Sequence, residues 1–262
     1  MSAGCSWRTG VSTVEMKRYL DRLKPVLPGF VARLVFEKGR VDHLEGRSAS
    51  EIFRDIYRLN AWGSAESKSG SGSTLSYTAE LRNELPEFLQ RHGVRSMVDI
   101  PCGDFNWMRR ADLSGVHYTG LDVVPELIAH NRKKFGGSSR TFAVCDILSG
   151  PPPCADLVFC RDLLIHFSYR DALAALRNMV ASGSTWLLTT TYRQGRNRSE
   201  PTGGFYRINL EETPFLFSPP EAWLADGEGK TAPNGRTLGL WKLAEMDLDG
   251  LAGRIGPGLE VF

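Results

Sequence analysis

Residues 97–108 read MVDIPCGDFNWM: an apolar run that ends in Asp99, then a turn with one glycine and a second acid, then aromatic residues. A short apolar run bounded by a turn suits a strand covered on both faces, as in a parallel sheet. In open α/β sheets, ligands bind beyond the carboxyl ends of the strands, where the chain turns toward the next helix. The turn Pro101–Cys102–Gly103–Asp104–Phe105–Asn106 is therefore where the sequence reveals what it can hold.

A dinucleotide pocket uses G-x-G-x-x-G because the backbone must approach a pyrophosphate at a helix N-terminus. Here only Gly103 remains, Phe105 fills a glycine position, and Asp104 sets a carboxylate where the pyrophosphate would lie. Like charges at close range in a partly desolvated turn repel, so a dinucleotide is disfavoured. A ligand with cationic groups and no phosphate reverses the sign, and S-adenosylmethionine (SAM), with an ammonium and a sulfonium, is such a ligand. Asp122 ends the next strand candidate roughly 20 residues beyond Gly103, the spacing at which a carboxylate accepts from ribose hydroxyls. Asp146 ends the one after, where it could accept from an adenine amino group. One such acid alone reads as a helix cap or turn residue. Three at successive strand ends line one edge of a sheet.

Working outward, the strand candidates are RSMVDI (95–100), HYTGLD (117–122), RTFAVCD (140–146), ADLVFC (155–160) and TWLLTTT (185–191). Between them, VVPELIAHNRKKFGG (123–137) has Pro125 in its first turn and a glycine stop. SYRDALAALRNMVASG (168–183) has Ser168 and Asp171 at capping-box spacing, with Leu173, Leu176, Met179 and Val180 on one face. This alternation predicts an α/β fold: a doubly wound, Rossmann-like sheet, mostly parallel, in a core spanning 91–262. GRTLGLWKL (235–243) is expected as an antiparallel last strand closing the sheet edge. Residues 1–90 read as an N-terminal helical segment, with VEMKRYLDRLKPVL (14–27), SASEIFRDIYRLN (48–60) and TAELRNELPEFLQRHG (78–93) as helices. The stretch AWGSAESKSGSGS (61–73) fits a flexible linker or a loop that folds over a ligand; Trp62, Glu66 and Lys68 are unusual in a linker.

Over about residues 75–245 this ordered set resembles the class I SAM-dependent methyltransferases, and within them bacterial small-molecule enzymes. VDIPCGDFNW resembles their motif I, D/E-x-G-x-G-x-G, through Asp99, Cys102, Gly103 and Asp104. YTGLDVVPELI resembles the acidic ribose-binding segment, AVCDIL the adenine-contacting motif, and ADLVFCRDLLIHF the strand-four segment beneath the transferred methyl. The resemblance implies cofactor contacts from Asp99, Cys102, Gly103, Asp104, Trp107, Asp122, Val123, Asp146, Ile147 and Arg161. Pro101 and Phe105 depart from it, standing where the family commonly has glycines. Pro101 is expected to stiffen the turn and Phe105 to narrow the space beside the methionine portion.

Methyl transfer is an in-line displacement for which the protein mainly positions the nucleophile and excludes water. A general base is needed only if the nucleophile must lose a proton. Asp162 and His166, four apart, form the candidate catalytic pair, as an acid–His couple able to deprotonate a hydroxyl; the alternative is a structural histidine bonded to backbone. Substrate loops are expected at 160–170 and 192–220. Arg193, Arg196, Arg198 and Arg207 could grip a carboxylate or phosphate. Arg196 and Arg198 read as solvated, whereas Tyr206 and Arg207 lie among apolar residues and are favoured as substrate contacts with Trp62, Tyr192 and Arg193. Phe205 and Phe215 read as core, and Trp107 as a pocket wall.

With 262 residues, 42% hydrophobic and 24% charged, the composition is globular. A formal charge of +2 is too weak for a nucleic-acid surface. No apolar run approaches the roughly 18 residues of a membrane span, and the N-terminus has no signal-like apolar region. Five cysteines with no C-x-x-C pair indicate neither disulfides nor zinc, scattered histidines suggest no metal, and a cytoplasmic location is expected. The expected activity is methyl transfer from SAM to an oxygen or nitrogen of a polar small molecule, with residues 1–90 and the 61–73 loop as a lid. An RNA or protein methyltransferase, supported only by the short basic run 193–198, and a non-catalytic SAM-binding protein are the alternatives. Oligomeric state is not legible.

Overall fold

The computed structural model describes residues 46–227 and 235–256; the helix expected at 14–27 lies outside them. Seven strands, β1 (Ser96–Asp99), β2 (His117–Asp122), β3 (Arg140–Val144), β4 (Leu157–Cys160), β5 (Trp186–Tyr192), β6 (Ala222–Ala225) and β7 (Arg236–Lys242), form one sheet in the order β3-β2-β1-β4-β5-β7-β6. The first five are parallel, and β7 runs antiparallel to both β5 and β6. The chain leaves β1 toward β2 on one side and returns to β4 on the other. Their carboxyl ends therefore flank the switch point where this architecture opens a crevice.

Burial on both faces explains the apolar runs. Every residue of β4 is buried, with Val158 and Cys160 facing one layer and Leu157 and Phe159 the other. The first layer is covered by α4 (Tyr169–Ala181) and α5 (Leu248–Ile255), the second by α2 (Ala79–Arg91) and α3 (Pro125–Phe135). Leu81, Leu85, Phe88 and Leu89 of α2 pack into the second layer beside Met97 and Leu240, so this helix is part of the sheet's covering. α1 (Ala49–Leu59) starts with a complete Ser48–Glu51 capping box. Its Ala49 and Phe53 pack against the first layer and its Tyr57 against the second, so it lies across the carboxyl edge between them.

Two expectations need correction. β7 does not close the sheet: it is interior, and the unanticipated four-residue β6 is the edge. Six of the seven β7 residues are buried, and that near-continuous burial belongs to a covered strand. The Ser168–Asp171 box is also indirect. Ser168 Oγ accepts from the Asp171 N–H, but the Ser168 N–H donates to Thr202 Oγ1, whose hydroxyl donates to Asp171. Asp is one methylene shorter than Glu, and the threonine hydroxyl spans the difference.

Candidate functional site

The turn after β1 is held from both sides. The Gly103 N–H donates to Asp122 Oδ2 (3.1 Å), the Val124 N–H to Asp122 Oδ1 (3.0 Å), and Asn131 of α3 donates to the Gly103 carbonyl (2.8 Å). Burial pushes the Asp122 carboxyl up to about 6 against these backbone bonds. Asp99 is buried, accepts from Tyr118 Oη (2.5 Å), and is pushed by burial to about 7. Cys102 packs beside Asn131, its thiol raised well above the ordinary range by burial. Asp146 uses Oδ1 to accept from the Leu148 N–H, Ile147 is buried in the α4 layer, and Val123 packs partly buried beside α3.

Of the two departures from motif I, Phe105 resolves differently from expectation. The Ile100–Pro101 peptide is cis. Phe105 keeps the left-handed backbone of the glycine it replaces (φ 57°), but its ring points into the second layer against Tyr118, Phe135 and Phe142. It therefore does not narrow the ligand side of the turn. Aromatic packing offsets the strain of positive φ in a bulky residue.

Asp104 has a role the sequence did not announce. Its Oδ1 accepts from Ser67 Oγ (3.0 Å), Ser69 Oγ (3.3 Å) and the Asn106 N–H (3.2 Å), and its Oδ2 from the Lys68 N–H (2.9 Å). A carboxylate has about two acceptor positions on each oxygen, so Oδ1 is saturated and Oδ2 is half used. The carboxylate is thus an anchor for the 61–73 loop, with most of its acceptor capacity spent on it. The loop is bound elsewhere too: Glu66 accepts from the Leu75 N–H and Asn106 Nδ2, and Ser69 Oγ accepts from the Asp104 N–H. Gly103 has φ 54°, and a Cβ there would run into Ser69 Oγ; the one surviving motif glycine is required by this close approach. The serines of this stretch make specific bonds, which a flexible linker would not.

Beyond β4 lies a buried network that joins distant parts of the chain. Arg161 grips Asp226 through Nε (3.1 and 3.0 Å) and Nη2 (2.8 Å), donates to the Gly72 carbonyl (2.8 Å), and sits over the Trp107 ring. Arg236, opening β7, donates to Asp226 and, at 2.8 Å, to Asp162. Arg161 was expected to touch cofactor and Trp107 to line a pocket. The guanidinium is instead committed to Asp226 and Gly72, and Trp107 supports its flat face. Burial opposes ionisation of Asp162, but Arg236 and Arg161 outweigh it and hold the carboxyl well below the usual carboxylate range. A group so reluctant to take a proton is unsuited to act as a general base.

His166 ends the turn Leu164–His166. Its Nδ1 lies 2.7 Å from the Gly204 carbonyl; a carbonyl only accepts, so Nδ1 carries a hydrogen and donates there. The imidazole lies between Trp62 (5.4 Å between centroids) and Phe205 (6.0 Å), and close enough to Asp162 for their charges to interact. Tyr192 ends β5 buried; Arg193 is exposed over Trp223 and Arg207 exposed over Tyr192. Tyr206, expected at the site, points into the first layer beside Tyr169 and away from the edge. Arg196 and Arg198 are exposed, and Phe215 is core.

Sequence reasoning missed Ser67, Ser69, Asp226 and Arg236. Only Arg236 left a signal, as a charge opening an otherwise apolar strand. Among the described residues no group of three or more His, Cys, Asp or Glu is arranged to hold a metal ion. Nor, among them, is any helix long and apolar enough to cross a membrane.

Comparison with solved structures finds the same architecture. TnmH is 19% identical, matching 89% of this chain and 74% of its own with a TM-score of 0.57. PigF, solved with S-adenosylhomocysteine (SAH), is 16% identical over 87% of this chain and 73% of its own (TM-score 0.54). The mitomycin 7-O-methyltransferase MmcR is 17% identical over 85% and 70% (TM-score 0.54). At these identities the likeness is one of fold, and the fold is the Rossmann-like one that MmcR has. No protein-family model and no curated protein matches the sequence.

Proposed function

We propose that the chain is a SAM-dependent methyltransferase acting on an oxygen or nitrogen of a polar small molecule. The observation that carries this reading is the acidic half of the carboxyl edge: Asp99, Asp122 and Asp146 at or just beyond the ends of β1, β2 and β3. Burial has raised the first two toward neutrality, so a bound cation would favour their charged forms. The fit to the cofactor is good at Asp122. Hydrogen bonds from Gly103 and Val124 use about half of the acceptor capacity of its carboxylate, leaving room for a ribose diol. Asp146 has Oδ1 engaged by Leu148, and among the described residues nothing donates to its Oδ2.

When bound, SAM supplies an electrophilic methyl on a cationic sulfur. The chain's own work is positioning, water exclusion and proton removal. His166 Nε2 takes the proton of the attacking hydroxyl or amine, while Nδ1–H stays fixed on the Gly204 carbonyl. Asp162 stays ionised and favours the imidazolium that results. The 61–73 loop acts as a lid, tied to Asp104 at one end and to Arg161 through Gly72 at the other, and Trp62 covers His166. A cytoplasmic enzyme without a metal requirement fits this chemistry.

Calorimetric titration with SAH, with NAD as comparison and Asp122→Ala as control, tests the reading. Binding of SAH alone, weakened at least tenfold by the substitution, is expected. Binding of NAD, or SAH affinity unmoved by Asp122→Ala, would overturn it.

A further inference from the structure

We infer that the acceptor is an aromatic acid, with its ring on the exposed faces of Trp62 and Phe205 beside His166 and its carboxylate on Arg207. This rests on the reading above and deepens it. The segment 203–208 is pinned to the turn that carries His166: the Gly203 N–H donates to the His166 carbonyl (2.8 Å) and the Tyr206 N–H to the Ile165 carbonyl (3.1 Å). Beyond it, the Tyr192 N–H donates to the Ile208 carbonyl (2.7 Å), so the segment bridges the exits of β4 and β5. Along it, exposure alternates: Phe205 out, Tyr206 in, Arg207 out, Ile208 in. Extended backbone therefore presents Phe205 and Arg207 on one outer face, about 7 Å apart along the chain.

That face has two kinds of unspent recognition. Trp62 is 38% exposed and Phe205 49%, flanking the imidazole, so planar apolar surface is offered next to the candidate base. The charge is equally specific. Arg161 and Arg236 are consumed by Asp226 and Asp162, and Arg198 pairs with Glu200. Arg207 has no acid partner among the described residues, yet its guanidinium is seated over the Tyr192 ring. A cation held on an aromatic face keeps its edge N–H groups directed outward, and that fork matches a carboxylate. Aromatic surface, a base and a pre-set cation in one strip call for a planar ring that bears an anion and a nucleophilic hydroxyl or amine.

The test titrates SAH-saturated protein with 4-hydroxybenzoate, 4-hydroxycinnamate and 3-hydroxyanthranilate, each against its own carboxamide. The acids are expected to bind at least tenfold more tightly than the amides. Arg207→Gln should reduce that ratio below threefold by weakening the acids alone, and Arg207→Lys, which keeps the charge but not the fork, should give an intermediate ratio. Trp62→Ala should weaken acid and amide together, and Arg196→Gln, on the solvated part of the loop, should leave the ratio alone. Equal binding of acids and amides, a ratio that survives Arg207→Gln in protein with an unchanged unfolding midpoint, or no binding of any aromatic acid would each overturn the inference. Failure of the wild type to bind SAH would instead count against the cofactor reading. The same titrations without SAH then read the anion preference by itself.

Discussion

Asp104 is where the structure and the motif resemblance make opposite demands, and Asp104→Asn separates them. If the carboxylate anchors the loop, the amide keeps one acceptor oxygen and puts an NH2 against donors. The hydroxyls of Ser67 and Ser69 can turn away, but the Lys68 N–H, 2.9 Å from Oδ2, is fixed by the backbone. One to two charge-assisted bonds are lost, each worth about 1.5–3 kcal/mol in mutational series. Discounting for the partly exposed position, loop closure should weaken by about 2 kcal/mol, or about 30-fold in its equilibrium constant. Hydrogen exchange reads this directly: the amides of residues 67–69 should exchange about 30-fold faster, while those of β1, β4 and β5 stay as they were. The anchoring argument fails if loop exchange changes less than threefold. If SAH affinity nevertheless falls tenfold or more, Asp104 meets the ligand itself, as the family motif implies.

Three further outcomes are expected. Asp226→Asn leaves Arg161 and Arg236 with only Asp162 between them; unpairing buried charges costs about 3–5 kcal/mol, so Tm should fall by about 10 °C, and a drop under 3 °C would show that the network relaxes. Asp99 holds its proton to a higher pH when folded than when unfolded, so its contribution to stability is complete below about pH 4 and lost as pH rises through about 7. Asp99→Asn, which keeps an acceptor for Tyr118, should therefore gain on the order of 3 kcal/mol over wild type at pH 8 and little at pH 4; parallel pH–stability curves would refute this. His166→Gln should lower kcat by about 10²–10⁴ with SAH affinity intact, whereas equal losses in kcat and SAH affinity would mark His166 as structural.

What was legible in the sequence was what depends on local pattern. Five parallel strands, the helices between them and the row of acids at strand ends follow from apolar runs, caps and turn residues, each set by a few neighbours. What was not legible depended on where side chains point after the chain has folded. Phe105 read as an obstruction because a turn residue's position is visible in sequence, but the direction of its ring toward Phe135 and Phe142 is not. Asp104 read as a ligand group because Ser67 and Ser69, which occupy it, lie more than thirty residues earlier in a stretch whose composition also fits a linker. Tyr206 read as a site residue although period-two alternation around it puts Tyr206 inward and Arg207 outward. The position of β7 was open to a similar logic: TLGLWKL is long, with only Thr237 and Lys242 polar, and a long apolar strand is poorly protected as an edge.

The buried charges repay a separate argument, because ion pairs are a poor way to gain stability. Desolvating two arginines and two aspartates costs about as much as their attraction returns, and an apolar cluster of the same volume would serve stability as well. The network's value lies in what it connects. Arg161 follows β4, Asp226 follows β6, Arg236 opens β7, and the Gly72 carbonyl belongs to the loop that covers them, so one set of directional bonds fixes four segments at a single geometry. It also fixes the charge profile. Two arginines balance two aspartates, so the network itself carries no net charge. Asp99 and Asp122, at the ends of β1 and β2, are raised by burial, and Arg193 and Arg207 sit over aromatic rings near the exit of β5. With the four network charges balanced, a cationic donor would be drawn toward the β1 and β2 ends and the proposed anionic acceptor toward the β5 exit before either makes a specific contact.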